Sequence, residues 1–165
     1  NASLSNDIKI DLIKCLSSNG GIDGMIIGQA IDCYFENQKL ELNQLEFLHI
    51  HKTAKLIAAS LKMGAIICEY DLQTQEKLFN FVINLGLLFQ IQDDIIDETC
   101  TSVQAGKTTH NDSSKNSFVN LLGLDGSIKS ADDLALKCLE TLNTFDSNLK
   151  ESLEQLLLEY INRHK

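Results

Sequence analysis

Leu78-Phe79-Asn80-Phe81-Val82-Ile83-Asn84-Leu85-Gly86-Leu87-Leu88-Phe89-Gln90-Ile91-Gln92-Asp93-Asp94-Ile95-Ile96-Asp97-Glu98 decides the fold class. From Leu78 to Ile91 the apolar side chains fall on nearly every side of a helix, the pattern of an element buried on several faces at the centre of a bundle. The run then ends in Asp93, Asp94, Asp97 and Glu98. These acids stack negative charge on the negative end of the helix dipole and set like charges three and four residues apart. Stability alone does not select such an ending. At about 100° per residue, Gly86, Gln90, Asp93 and Asp97 lie within roughly 60° of one another, so a glycine, an amide and two carboxylates share one stripe, with Asp94 beside it. Carboxylates so placed are hard oxygen ligands for Mg²⁺, which keeps several waters and completes its shell with substrate phosphates. The alternative is a solvated acidic helix end.

The rest of the chain agrees with an all-helical bundle. It has 165 residues, 44% of them hydrophobic, no proline and nine glycines. Turn signals divide it into about seven helical stretches. The spacing predicts helices over 5–18, with Ser5 as N-cap, over 22–36, over 43–68, opened by Asn43 and Glu46, and over 74–98. A short helix over 117–122 follows, then one started by Ser130 and Asp133 and a last one capped by Asp146. No strand pattern, repeat or low-complexity tract competes. The polar stretch 99–116 has no period and the length of a functional loop.

Composition narrows the function. With 14 basic against 23 acidic residues the formal charge is −9, a poor match for phosphate backbones or anionic bilayers, so nucleic-acid and membrane-surface partners drop out. Cys15, Cys33, Cys68, Cys100 and Cys138 form no Cys-x-x-Cys and are odd in number, which reads as reduced thiols and a cytoplasmic address. No apolar run reaches the roughly 18 residues of a membrane span. His49 and His51 sit on different helix faces, so they read as ordinary core or surface histidines.

A second anomaly lies in 43–68. Lys52 falls within about 40° of Leu45, Leu48, Leu56, Ala59 and Met63, whereas Gln44, His51, Lys55 and Lys62 share an exposed face. A lysine on an apolar face needs an anion or must snorkel. Lys52 and Thr53 can thus offer an ammonium and a hydroxyl to one buried anion; snorkelling or an ion pair with a carboxylate is the other reading. Gly24 and Gly28 give 22–36 a smooth face for close backbone approach, and Gln29 and Asp32 suit either a site or inter-helix hydrogen bonds.

In order, the unusual residues read Gly24-Met25-Ile26-Ile27-Gly28-Gln29-Ala30-Ile31-Asp32, His51-Lys52-Thr53, Phe89-Gln90-Ile91-Gln92-Asp93-Asp94-Ile95-Ile96-Asp97 and Gly106-Lys107. The set resembles the C-terminal half of the trans-isoprenyl diphosphate synthases, or polyprenyl synthetases, and most closely their bacterial farnesyl-forming members. The resemblance runs through almost the whole chain, with residues 1–165 as the C-terminal half of an isoprenoid synthase-like helical domain. It implies an enzyme that condenses an allylic diphosphate with isopentenyl diphosphate. Asp93, Asp94 and Asp97 match the second aspartate-rich motif and would hold Mg²⁺ against the allylic diphosphate. Lys52 and Lys107, with Lys115, would grip that diphosphate, while Thr53 and Gln90 would stabilise the allylic cation and guide proton loss. Ile27 stands where the family usually has glycine, as does His110 in the loop, and the Asp112 loop is short. No first aspartate-rich motif and no N-terminal Gly-Lys-Arg segment is present. This chain alone is therefore expected to be inactive and to pair with an N-terminal half of the same protein or with a second copy. A non-catalytic helical subunit that modulates a complete synthase, and a purely structural bundle, are the competing expectations. Helices that lack their covering half are also expected to expose much apolar surface.

Overall fold

The computed structural model describes residues 3–36, 38–99 and 116–161, the side chains of 159–161 excepted. Lys107 and Lys115, with Gly106, His110, Asp112 and Cys100, lie outside the described residues. The described residues are helical, without strands. In chain order they form α1 (Asn6–Gly20), α2 (Ile27–Tyr34), α3 (Leu42–His49), α4 (Lys55–Ile67), α5 (Leu72–Thr99), α6 (Phe118–Leu142) and α7 (Ser147–Ile161). One π-helical turn, Ile22–Ile26, leads into α2, and a second, Ile50–Ala54, joins α3 to α4.

The apolar run makes α5 the axis of the bundle, in contact with α3, α4, α6, α7 and the second π turn. Leu85, Gly86, Leu87 and Leu88 are consecutive and all buried, so a full turn of α5 is covered on every side. Phe81, Val82, Leu88, Ile91 and Ile95 from α5 meet Leu45 and Leu48 of α3, Phe118 and Cys138 of α6 and Leu157 of α7 in one core. Each such fully buried side chain contributes roughly 1.5–3 kcal/mol by its transfer from water. A smaller cluster of Cys15, Ala59 and Ile66 fastens α1 onto α4.

Several caps fall where expected. Ser5 Oγ accepts from Ile8 N–H, Ser117 Oγ from Asn120 N–H, and Asp146 Oδ1 from Asn148 and Leu149 N–H. The start of α3 lies two residues earlier than the expected pair, because the Gln44 side chain accepts from Glu41 N–H at 2.9 Å. The stretches expected over 117–122 and from Ser130 form one element, whereas the single helix expected over 43–68 is divided into α3 and α4 by the second π turn. The boundary after Leu122 survives as a break inside α6, where Gly123 has φ +72°, a conformation that costs a side-chain-bearing residue about 1 kcal/mol or more. The buried Ser127 hydroxyl donates to the Gly123 carbonyl at 2.9 Å, so the helix resumes at once instead of waiting for Ser130.

Burial also orders the thiols. Cys15 and Cys138 are buried, whereas Cys33 and Cys68 are exposed. Burial pushes the Cys138 thiol up to about 11 and raises that of Cys15. Because the thiolate is the nucleophile, alkylation of the native protein at pH 8 is expected at Cys33 and Cys68 before Cys15 and Cys138. Peptide mass spectrometry after brief iodoacetamide treatment checks this order, and early labelling of Cys138 would contradict the packing of α6 on α5.

Several large apolar side chains are exposed among the described residues. Ile13, Ile22, Tyr34 and Leu72 are 67%, 71%, 72% and 77% accessible. Among the described residues no helix is long and apolar enough to cross a membrane.

Candidate functional site

The candidate site is organised by the π turn Ile50–Ala54. Lys55 N–H reaches back to the carbonyl of Ile50, five residues earlier, so this turn holds one residue more than an α-helical turn. That extra residue rotates everything after it. A regular helix would put Leu56 on the buried stripe; instead Leu56 is 36% exposed and Ala54 and Ala58 are fully buried. Lys62, expected on the exposed face, bridges to Glu76 of α5 with its ammonium over the Phe79 ring. The lysine that looked misplaced on a regular wheel is the sequence signal of the turn, because the wheel carries one residue too few.

Two glycines hold the turn from opposite sides. Gly28 of α2 lies so close that a Cβ there would fall 2.2 Å from Lys52 N and 2.6 Å from Lys52 Cα. Gly86 of α5 faces Ala54, and a Cβ there would fall 2.6 Å from Ala54 Cβ. Real Cβ atoms do not approach this closely. The smooth face expected of Gly24 and Gly28 is thus occupied: Gly24 abuts the Asn19 backbone and Gly28 abuts Lys52. Both α2 and α5 press on the residues that flank Lys52 and Thr53.

Lys52 and Thr53 are half-buried. The Lys52 ammonium donates to Asp32 Oδ2 of α2 at 2.5 Å, the ion-pair alternative for this lysine, and this also gives Asp32 an inter-helix role. The two side chains remain 30% and 38% exposed, so the pair contributes on the order of 1 kcal/mol or less and is readily exchanged for another anion. Gln29 is exposed. His51, next to Lys52, stacks on Phe47 with ring centroids 3.8 Å apart and donates from Nδ1 to the Phe47 carbonyl at 2.8 Å. Burial, with the Lys55 charge assisting, lowers its pKa. His49 is buried and stacks on Phe118. Both act as packing groups.

The acidic stripe continues from the turn along α5. Gly86 touches the turn, Gln90 follows one helical turn later, and Asp93 is about 10 Å further along the axis than Gly86 at 1.5 Å per residue. Gln90, Asp93, Asp94 and Asp97 are half-buried. Asp94 Oδ2 accepts from Phe118 N–H at 2.8 Å, where its charge also suits the positive end of α6. Among the described residues no three His, Cys, Asp or Glu groups converge enough to enclose a metal. The donor set nevertheless fits Mg²⁺, which takes one or two carboxylates and draws its remaining ligands from water and phosphate.

One residue had no signal in the sequence. Asn116 donates from Nδ2 to the carbonyls of Phe35 at 3.0 Å and Gln38 at 2.8 Å, and its Oδ1 accepts from Leu40 N–H at 2.9 Å. Partners 76 to 81 residues away leave no local pattern to read.

Residues 3–156 match the family Polyprenyl synthetase. The chain belongs to the polyprenyl synthetase family. Among polyprenyl synthetases it is 36% identical over 167 residues to the farnesyl diphosphate synthase of Micrococcus luteus, covering 100% of this chain and 57% of that protein. It is 33% identical to the farnesyl diphosphate synthase of Haemophilus influenzae, covering 94% of this chain and 55% of that one. The crystal structure of a geranyltransferase from Helicobacter pylori, complexed with magnesium and isoprenyl diphosphate, superposes with a TM-score of 0.86 at 50% identity, over 96% of this chain and 54% of that chain. The expected all-α polyprenyl synthetase fold is thereby met. The chain spans about half the length of the curated relatives it matches.

Proposed function

We propose that this chain is the C-terminal half of an isoprenyl diphosphate synthase of the farnesyl-forming kind, and that it supplies the side of the site that takes the allylic diphosphate. The observation that carries this reading is the meeting of α2 and α5 on the turn that holds Lys52 and Thr53, with the aspartate stripe leading away from the same contact. On this reading the Lys52 ammonium, the Thr53 hydroxyl, the Gln90 amide and the carboxylates act on one diphosphate.

In the reaction the carbon–oxygen bond of the allylic diphosphate breaks and its electron pair leaves with the diphosphate. The double bond of isopentenyl diphosphate then forms the new carbon–carbon bond, and a proton is lost. Lys52 exchanges Asp32 for the leaving diphosphate and stabilises its growing charge, an electrostatic effect that is largest in a site closed to water. Lys107 and Lys115 add to this grip. The Thr53 hydroxyl and the Gln90 amide turn their oxygens toward the cation and steer the departing proton. Asp93, Asp94 and Asp97 would hold Mg²⁺, which when bound neutralises charge on the leaving group. The reading places the protein in the cytoplasm, as a homodimer or joined to its N-terminal half.

The test is product formation from labelled isopentenyl diphosphate and an allylic co-substrate in the presence of Mg²⁺. The 165-residue chain alone is expected to show no prenyl transfer, because leaving-group charge must be neutralised from both sides of the cavity. The same chain joined to its N-terminal half is expected to turn over. Robust turnover by the chain alone would overturn the division of labour. An inactive joined protein that alters the product of a complete synthase would instead establish the modulating subunit.

A further inference from the structure

The three residues Asn116, Ser117 and Phe118 touch the connection between α2 and α3, the end of α3 and the aspartate end of α5. Asn116 uses all three hydrogen-bonding positions of its amide just described on the connection between α2 and α3. Asp32 lies shortly before that connection and Lys52 shortly after it. Phe118 N–H donates to Asp94 on α5, and the Phe118 ring, 1% exposed, stacks on His49 at 5.5 Å, three residues before Lys52. Within one short segment the chain is thus tied to the lysine side and to the aspartate side.

We infer that this segment is a clasp and that Asn116 is a positioning residue, setting the Lys52–Asp32 pair at its distance from the aspartate end of α5. A half-buried amide hydrogen-bonded to three backbone groups holds both partners in place, and removing it leaves two carbonyls and an N–H to find water. The loss falls on the α2–α3 connection, which Asn116 ties to the start of α6 through these three hydrogen bonds. Asn116 touches no reacting group; it acts through Lys52. The ligand readout below rests on the proposed diphosphate site, whereas the ligand-free readout does not.

The ligand-free experiment follows the lysine ε-carbon signals of the 165-residue chain by NMR. Lys62, paired with Glu76 about 15 Å further along the α3–α4 rod than Lys52, serves as internal control. Asn116→Ala is expected to shift and broaden the Lys52 signal and to leave that of Lys62 unchanged. Asn116→Ser, which keeps a hydroxyl able to donate or accept beside these backbone groups, is expected to give a smaller change and serves if the alanine variant unfolds. An unmoved Lys52 signal in a folded variant, or equal shifts at both lysines, overturns the inference. In the second experiment inorganic pyrophosphate is titrated with Mg²⁺ by calorimetry. Asn116→Ala is expected to weaken binding about tenfold, and to add little when Lys52 is already alanine, as coupled sites do. Multiplying losses in the double variant would make Asn116 a general stabiliser and overturn its positioning role. Absence of pyrophosphate binding by the unaltered chain would count against the diphosphate site, and the lysine signals would still decide the clasp.

Discussion

Replacing Asp93 or Lys52 by alanine is expected to lower prenyl transfer about 10²-fold or more in the protein made of this chain and its N-terminal half. Turnover should fall further than the affinity for the allylic substrate, since each group acts chiefly on charge that develops as the carbon–oxygen bond breaks. Asp93→Ala offers a sharper test than most active-site changes, because it should not destabilise the protein. The residue sits near the negative end of the α5 dipole with Asp97 one turn away, so losing its charge relieves repulsion worth a few tenths of a kcal/mol. The expected result is a melting temperature that is unchanged or slightly higher, beside a steep fall in rate. Steady-state kinetics and thermal unfolding on the same sample check both halves. Unchanged turnover would remove Asp93 from the site, and a collapse of stability would make it a structural group.

Gly28→Ala is expected to be a severely damaging single-methyl change. The new Cβ would meet the backbone of Lys52, not the end of a flexible side chain, so α2 must move away from the π turn. Overpacking of this kind costs about 1–3 kcal/mol even where side chains can give. At the upper figure the melting temperature should drop by roughly 6–12 °C for a chain of this size. The control is Gly64→Ala, where nothing lies within 4 Å and a helical alanine gains about 0.5–1 kcal/mol over glycine. Circular dichroism melts of the two variants should therefore move in opposite directions. Similar shifts would mean that α2 does not bear on the turn.

What was legible in the sequence was what acts locally. The apolar run placed α5 at the centre, Ser5, Ser117 and Asp146 announced helix starts, and the aspartates stood out because they oppose their own dipole. Lys52 stood out for the opposite reason, as a charge on an apolar wheel. Its partner Asp32 and the extra residue in the turn were not legible, since both follow from how α2 and α5 wedge against 50–54 in three dimensions. Asn116 was silent because all of its side-chain partners are distant backbone groups. The Gly123 break was visible as a boundary, but its repair by Ser127 was not, so one kinked helix looked like two.

The turn at 50–54 also joins two segments of one rod that face different neighbours. Upstream, α3 is keyed by Leu45, Leu48 and His49 to the core and to α6; downstream, α4 is keyed by Ala59 and Ile66 to α1. Because the extra residue absorbs their difference in phase, either segment can be redesigned or drift without rotating the other. Straightening the turn with all of its residues kept would restore a regular ladder of hydrogen bonds and turn α4 by about 100°. Ile57, now 42% exposed, would then turn to the place of the buried Ala58, and the close seat for Gly28 would vanish. The irregularity is the feature an engineer seeking stability should leave alone.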